Sequence, residues 1–417
     1  MTRRYSLLYI TFLMFCVSGI KAQDTLGIRN VLLDNLVVKG NKVSPVKEMT
    51  DGSMLWEMSS MDDLPKILGN SDPIHYTQML PGIGTNAEYQ SGIHIQGCDN
   101  SHNIVSINGV PLYNVNHLLG FFSIFNASHF STLNIRKSLY DVSTANRLGG
   151  GLDMETNDNI PDSTNGEFAL GLISSQGTLR TPLGRRTSMT LSLRGSYINM
   201  LYGSWLKADK TQIEYSFCDC NFTLCHHIDD RNTVTIDFYA GNDTGNLNES
   251  SYLSDNALKW GNVMGSLRWK HHGHGFNVNQ TIYSTYYHNK FMLTMQDNNY
   301  ALKSSNMDLG YKGNITAGRW DIGLDAVWHN IQPQYLDNNN TYNVTSGNPE
   351  RQYSSEASAF VRYSLHLRKH STMIFGARAT LYSADGNHFG SADPSLAFRY
   401  DNSTVALSVS CYLRHQY

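Results

Sequence analysis

Past Gly166 the chain repeats one theme to its end: runs of about ten residues alternating in polarity, each closed by a turn. In Thr233–Phe238 the even positions Val234, Ile236 and Phe238 are apolar and the odd ones polar. Met189, Leu191, Leu193 and Tyr197 alternate in the same way with Thr190, Ser192, Arg194 and Ser196. Successive side chains of a strand point to opposite faces, so a period of two makes a sheet greasy on one side and hydrated on the other. No run after Ala22 approaches the ~18 uncharged apolar residues of a spanning helix. If this chain meets a membrane, it does so as strands. A composition of 41% hydrophobic and 16% charged residues, with 24 Tyr and 34 Gly, suits a wall between lipid and water, and a secreted all-β protein shares it. A net charge of −3 leaves no basic footprint for nucleic acid and no polybasic membrane patch.

The first 22 residues match a cleavable signal peptide: Arg3 and Arg4, an apolar run from Tyr5 to Val17, and Ala22 at the cleavage edge. Bulky Met14 and Phe15 before Cys16 argue against a lipid-anchor cysteine. Residues 23–48 form a leader with one strand-like patch, Leu32–Gly40. Asp62–Gly69 and Asp72–Leu80 each open on an acidic N-cap and read as short helices, the second closing at Pro81-Gly82. From Gly92 to Thr156, short strands alternate with Gly, Asn and Pro, and Gly149-Gly150-Gly151 marks a sharp turn or close backbone approach. The fold class expected is mainly β: an α+β plug at 49–157, bounded by the polar cluster Asn157–Asn165, then an incomplete antiparallel transmembrane β-barrel at 158–417. Short turns such as Asp229–Asn232 and long polar loops such as Gly241–Asn256 assign the two rims.

At roughly ten residues per strand plus connections, residues 158–417 supply about 12 strands. A closed barrel of that number leaves an interior of roughly 15 Å, whereas a plug of about 100 residues is roughly 30 Å wide. Roughly 22 strands would enclose it. Either the plug lies outside a small barrel, or the chain stops partway through a larger one.

Several phrases resemble TonB-dependent outer-membrane receptors of the group common in Bacteroidetes-type bacteria. LDNLVVKG is similar to the TonB-box region, and DPIHYTQMLPGI to a plug helix ending in LPGV. IHIQG, VSINGVPLYN and NHLLGFFSIFN resemble "IRGG", "LDGVPVYN" and "HLFGFFSVFN". FCDCNFTL, IDDRNTVTIDFYAGND, KWGNVMGSLRWKH, PSLAFRY and SVSCYLRHQY resemble wall phrases. Gln96 replaces the family's Arg, Asn108 its Asp, and Asn146–Gly151 shortens "RYGGRLSS". The two replacements remove charges that contact the wall, so weaker plug anchoring is expected.

The resemblance implies Leu36, Val37 and Val38 as the TonB-interacting segment, with the first plug strand as the competing role, and Gly97, Asn108, Gly109, Pro111, Gly120, Gly149 and Gly150 as plug-motif positions. Tyr89, Gln90, Tyr113, Asn114 and His117 are expected to face incoming substrate. It further implies a Gram-negative outer-membrane location among lipid, and energy-coupled import of a small nutrient ligand such as a metal chelate, cobalamin or glycan fragment. The partners implied are the TonB–ExbB–ExbD energy-transducing complex and a surface lipoprotein. The competing function is a non-transporting binding or structural protein, or a truncated remnant. No cofactor is expected, and the absence of a nucleophile–base–orienter set or phosphate loop argues against an enzyme. Cys220 shares its strand face with Phe222 and Leu224, while Asp219, Asn221 and Thr223 take the other, so the thiols of Cys218, Cys220 and Cys225 are expected to point at lipid or neighbouring wall residues, not to converge with His226 and His227 as the four ligands zinc needs. His271, His272 and His274 fall at a solvated turn, so no metal is expected.

Overall fold

The computed structural model describes residues 46–416 apart from 50–51, 86–91, 139–140, 145–146, 205–206, 209–210, 250–253, 296–297, 339–348 and 403–405. The signal peptide, Leu36, Val37, Val38, Tyr89 and Gln90 therefore lie outside the described residues.

The plug is a six-stranded mixed sheet in the order Val46–Glu48, Met54–Glu57, Thr132–Arg136, Gly151–Glu155, Ile104–Ile107 and Val110–Pro111. Only Gly151–Glu155 and Ile104–Ile107 run parallel. Ile74, Ile93, Ile95, Ile107, Leu133, Ile135, Leu152 and Met154 fill one core beneath it. The second expected helix is present as Pro73–Thr77, with Asp72 at the N-cap and Pro73 in the first turn. The first is not. Met58–Asp63 is a 3₁₀ segment that ends at Leu64, whose extended backbone (φ −87°, ψ 154°) is the conformation imposed on a residue before proline, here Pro65.

The wall is an antiparallel meander of thirteen strands from Asn165–Leu170 to Ala406–Tyr412, each paired with the next; the short strand Lys207–Ala208 adds to Thr211–His227 as a fourteenth. Among the described residues the first and last strands do not pair with each other, so the sheet is open. Plug side chains or carbonyls bond to wall strands from Ser174–Pro182, through Asn70 and Ser174, to Asn387–Asp401, through Glu48 and Arg399. A sheet touching one body along so much of its width curves around it. The size conflict is thus resolved by an open sheet that cups the plug.

Wall strands reach 17 to 20 residues, as in Thr211–His227 and Phe276–Met295, well beyond the ~9–11 that span a bilayer. The excess extends the strands as ribs beyond that length. This corrects the expected loop Gly241–Asn256, most of which is paired strand, Asn232–Glu249 against Ser254–His272. Strand Trp320–Asn338 shows the construction. Trp320, Ile322, Leu324 and Trp328 point outward, while Asp321 and Asp325 are buried inward. Trp320 packs on Tyr363 at 4.6 Å and Trp328 stacks on Tyr353 at 5.9 Å. Eight residues at ~3.3 Å, tilted ~40°, separate these aromatic pairs by roughly 20 Å, close to the ~25 Å apolar band of a barrel wall.

Candidate functional site: the plug–wall interface

The inward wall face carries charge, and the plug meets it with the segments singled out in the sequence. His117 sits at the centre. Its Nδ1 lies 2.6 Å from Asp243 Oδ2 and its Nε2 2.7 Å from Asp219 Oδ1, with Phe217 stacked at 4.5 Å. Asp219 also accepts from Arg194 Nε at 2.7 Å and Tyr239 Oη at 2.8 Å, and Arg194 donates to the Ser123 carbonyl at 2.8 Å. Burial alone would lower the His117 pKa, but the two carboxylates outweigh it and raise it, with one ring nitrogen facing each carboxylate. The residue expected to face substrate is thus only 1% exposed and clamps plug to wall. Beside it, Leu118 and Leu119 adopt left-handed backbone (φ 50° and 55°), strained for bulky residues, before Gly120 at φ 105°. The Leu118 amide donates to Tyr215 Oη at 2.5 Å and Asp243 Oδ1 at 3.3 Å.

Asn108-Gly109 forms a tight hairpin turn with both residues at positive φ (50° and 78°), the Asn-Gly conformation that matches strand twist. Asn108 Nδ2 donates to Asp237 Oδ2 of the wall at 2.8 Å and to Thr156 Oγ1 at 2.9 Å; its Oδ1 accepts the Thr156 amide at 3.1 Å. Asn108 therefore keeps a contact with the wall: its partner is a carboxylate, which an amide N–H can bond and which an Asp at this position would repel. Gly109 accepts from Lys312 Nζ at 2.6 Å, and Pro111 pairs with Ser106 in the short strand that follows.

Further along, Tyr113 Oη donates to Asp308 Oδ2 at 2.5 Å; burial, then Asp308, raises the phenol's pKa. His329 Nδ1 lies 2.7 Å from the other oxygen of Asp308. Asn114 is exposed, with Nδ2 3.4 Å from Tyr287 Oη and its carbonyl accepting from Asn262 Nδ2 at 3.2 Å. Trp260 Nε1 donates to the Asn116 carbonyl at 2.9 Å. The remaining motif glycines lie inside the plug. Gly97 takes φ 79° in the turn after Ile95. Gly149 donates to the His102 carbonyl at 2.9 Å. A Cβ on Gly150 would fall 2.5 Å from Ile95 Cγ2, so no side chain fits.

Asp72, expected as an N-cap, caps its helix through the Ile74 and His75 amides at 3.0 and 3.2 Å, and within the plug also accepts the Ser123 amide at 2.6 Å. Two interface residues, His129 and Asp158, escaped the sequence analysis. His129 bridges Ser192 at 2.8 Å and Thr223 at 3.1 Å, and burial pushes its pKa down to about 3. In the polar linker, Asp158 meets Lys270 Nζ at 2.5 Å and Arg268 at 2.8 Å, while its carbonyl accepts from His227 Nε2 at 2.8 Å. The signal was present in the patterned inward acids and bases of the wall, but no spacing rule pairs residues 63 to 112 positions apart.

Cys98, Cys218, Cys220, Cys225 and Cys411 are free thiols; Cys225 is buried and lies 3.1 Å from the Asp158 carbonyl, while Cys218 is exposed on the outer face. The expectation that these thiols point outward thus fails for Cys225. Among the described residues no group of His, Cys, Asp and Glu is placed to hold a metal ion.

A two-faced wall thus curves around a small α+β plug and is joined to it by buried ion pairs. The fold is shared with the siderophore receptor PirA from Acinetobacter baumannii (TM-score 0.62, 13% identity, 88% of this chain and 61% of that one). It is shared equally with the ferric enterobactin receptor PfeA of Pseudomonas aeruginosa (0.65, 13%, 89% and 63%) and the outer membrane transporter YddB from Escherichia coli (0.60, 12%, 85% and 63%). The chain spans somewhat under two thirds of the length of each. No protein-family model and no curated protein sequence matches it.

Proposed function

We propose that this chain is the plug and part of the wall of a Gram-negative outer-membrane receptor that imports a scarce small nutrient. The observation that carries the reading is the two-faced wall. Outward it offers an apolar band between aromatic pairs, and inward it spends its charged residues on the plug, as at Arg194–Asp219–His117–Asp243. Structural barrels fill their interior with their own side chains; a wall that reserves its ionic groups for a separable body suits a passage stoppered until needed. The likeness to siderophore receptors favours a metal chelate over cobalamin or a glycan fragment as cargo, which a surface lipoprotein could help to capture.

With no nucleotide hydrolysis at the outer membrane, the work of moving the plug comes from the TonB–ExbB–ExbD complex. It engages Leu36, Val37 and Val38 by adding the extended leader to the edge of a sheet, a mode that needs main-chain hydrogen bonds more than particular side chains. The test is uptake of ferric enterobactin by cells expressing the chain, with and without residues 32–40. Loss of uptake with retained outer-membrane insertion is expected; unchanged uptake in the deletion would rule out coupled import through the leader.

A further inference from the structure

The outward face of the wall changes character along its length, and three adjacent strands make the change in step. On Ser254–His272, Phe276–Met295 and Asn298–Ala317 the outward apolar run ends at Val263, Tyr286 and Met307, which are exposed and in register. Two residues further along each strand, on the same face, stand Gly261, His288 and Ser305, and two beyond those stand Lys259, Lys290 and Lys303. The lysines are direct cross-strand partners, Lys259 with Lys290 and Lys290 with Lys303. Partners of this kind have Cβ atoms about 5 Å apart, and like charges so placed destabilise a sheet. The next outward row on these strands is Ala257, Met292 and Ala301, so neither neighbouring row supplies an acid.

The row lies at a definite depth. Four residues at ~3.3 Å, tilted ~40°, put each lysine backbone roughly 10 Å past the end of the apolar run. A phospholipid headgroup layer is only roughly 5–8 Å deep. The ammonium groups, on flexible stems, therefore meet a larger headgroup better than a phospholipid's. They stand at the end of the strands opposite the short turns 273–275 and 318–319, which in barrel walls face the periplasm. The row between apolar run and lysines is polar and uncharged. His288 stacks on Tyr286 at 5.8 Å and its Nδ1 has no protein partner, while Asn242, paired with Gly261, is exposed. Hydroxyls suit such a row, and phosphates suit the ammonium groups beyond it.

We propose that Lys259, Lys290 and Lys303 form a site on the outside of the wall for the phosphorylated sugar headgroup of an outer-leaflet glycolipid, with Asn242 and His288 beneath them facing its hydroxyls. The bound anion removes the repulsion within the row, so the lipid braces three neighbouring strands beyond the apolar band. The site needs the wall to lie in a bilayer and not that the chain imports a solute. Its failure and the failure of the importer reading are therefore seen in different measurements, lipid binding and uptake.

The test is binding of fluorescently tagged, bisphosphorylated lipid A to the full chain in micelles of a neutral detergent at low salt. Lys259→Gln, Lys290→Gln and Lys303→Gln together are expected to weaken binding about a hundred-fold, and each alone about five-fold. The same three positions changed to Arg keep the affinity, as does Arg185→Gln with Arg319→Gln among the short turns. Lipid A stripped of both phosphates binds the parent no better than the intact lipid binds the triple Gln variant. The proposal is overturned if the triple Gln variant binds like the parent, if the Arg variant is as weak as the Gln variant, or if the short-turn variant loses as much. It is overturned equally if removing the phosphates costs no affinity, or if tagged phosphatidylglycerol binds the parent as tightly as lipid A.

Discussion

At the scale of single residues, the two buried plug histidines pull stability in opposite pH directions. His129 is pushed down to about 3 by burial, so on acidification the unfolded chain takes up its proton first. The stability carried by the neutral ring is present above ~6.5 and drains toward pH ~3, with a slope of up to ~1.4 kcal/mol per pH unit. His117 is the reverse: burial lowers its pKa, Asp219 and Asp243 raise it further, and the net is upward. Its contribution is complete below ~6.5 and is lost as pH rises through the elevated value. Amide exchange in the plug sheet followed across pH will therefore show a shallower acid loss in His129→Gln and a shallower alkaline loss in His117→Gln. Asn108 supplies a sharper test. Asn108→Asp sets a carboxylate where Nδ2 now lies 2.8 Å from Asp237, which costs several kcal/mol at neutral pH, and Asp237→Asn in the same chain restores the lost plug protection. The Asn108-Gly109 turn was legible in the sequence because positive φ at both positions is a local demand. The partner, Asp237, was not, because nothing local in Thr235–Phe238 says which inward carboxylate faces which loop.

At the scale of elements, the signals that held were those in which side chain and backbone agree. Asp72 followed by Pro73 set a helix start that the structure keeps, whereas the apolar spacing of Asp62–Gly69 was overruled by Pro65 within it. Asp385-Gly386, with φ 51° and 77°, joins two wall strands by the same device as Asn108-Gly109 and carried the same readable signature. Because Asp72 both caps the helix and holds the Ser123 amide, Asp72→Ala is expected to cost roughly 2 kcal/mol or more, read as accelerated exchange of the Ile74 and Ser123 amides. On the wall, Leu324→Arg places a cation in the middle of the outward apolar band, costing ~2–4 kcal/mol near the bilayer midplane. The urea midpoint for unfolding from vesicles should fall for Leu324→Arg and hold for Leu324→Val.

At the scale of the whole molecule, period-two alternation fixed a two-faced sheet, and counting residues came within one strand of the thirteen in the meander. Strand length was underestimated, since polar ribs such as Gly241–Glu249 alternate without an apolar face and read as loop. The plug's seat was hidden for a different reason: an interface built from ion pairs far apart in the chain leaves no periodicity, and its existence follows only once the sheet has curved. One consequence reaches beyond import. Strand Thr211–His227 carries Cys218 on the outer surface and Cys225 within, so a single native ribbon already bears a marker on each side of the wall. An oil-soluble maleimide partitioning into the bilayer should find the first and miss the second, giving an endogenous report of which way the ribbon is turned.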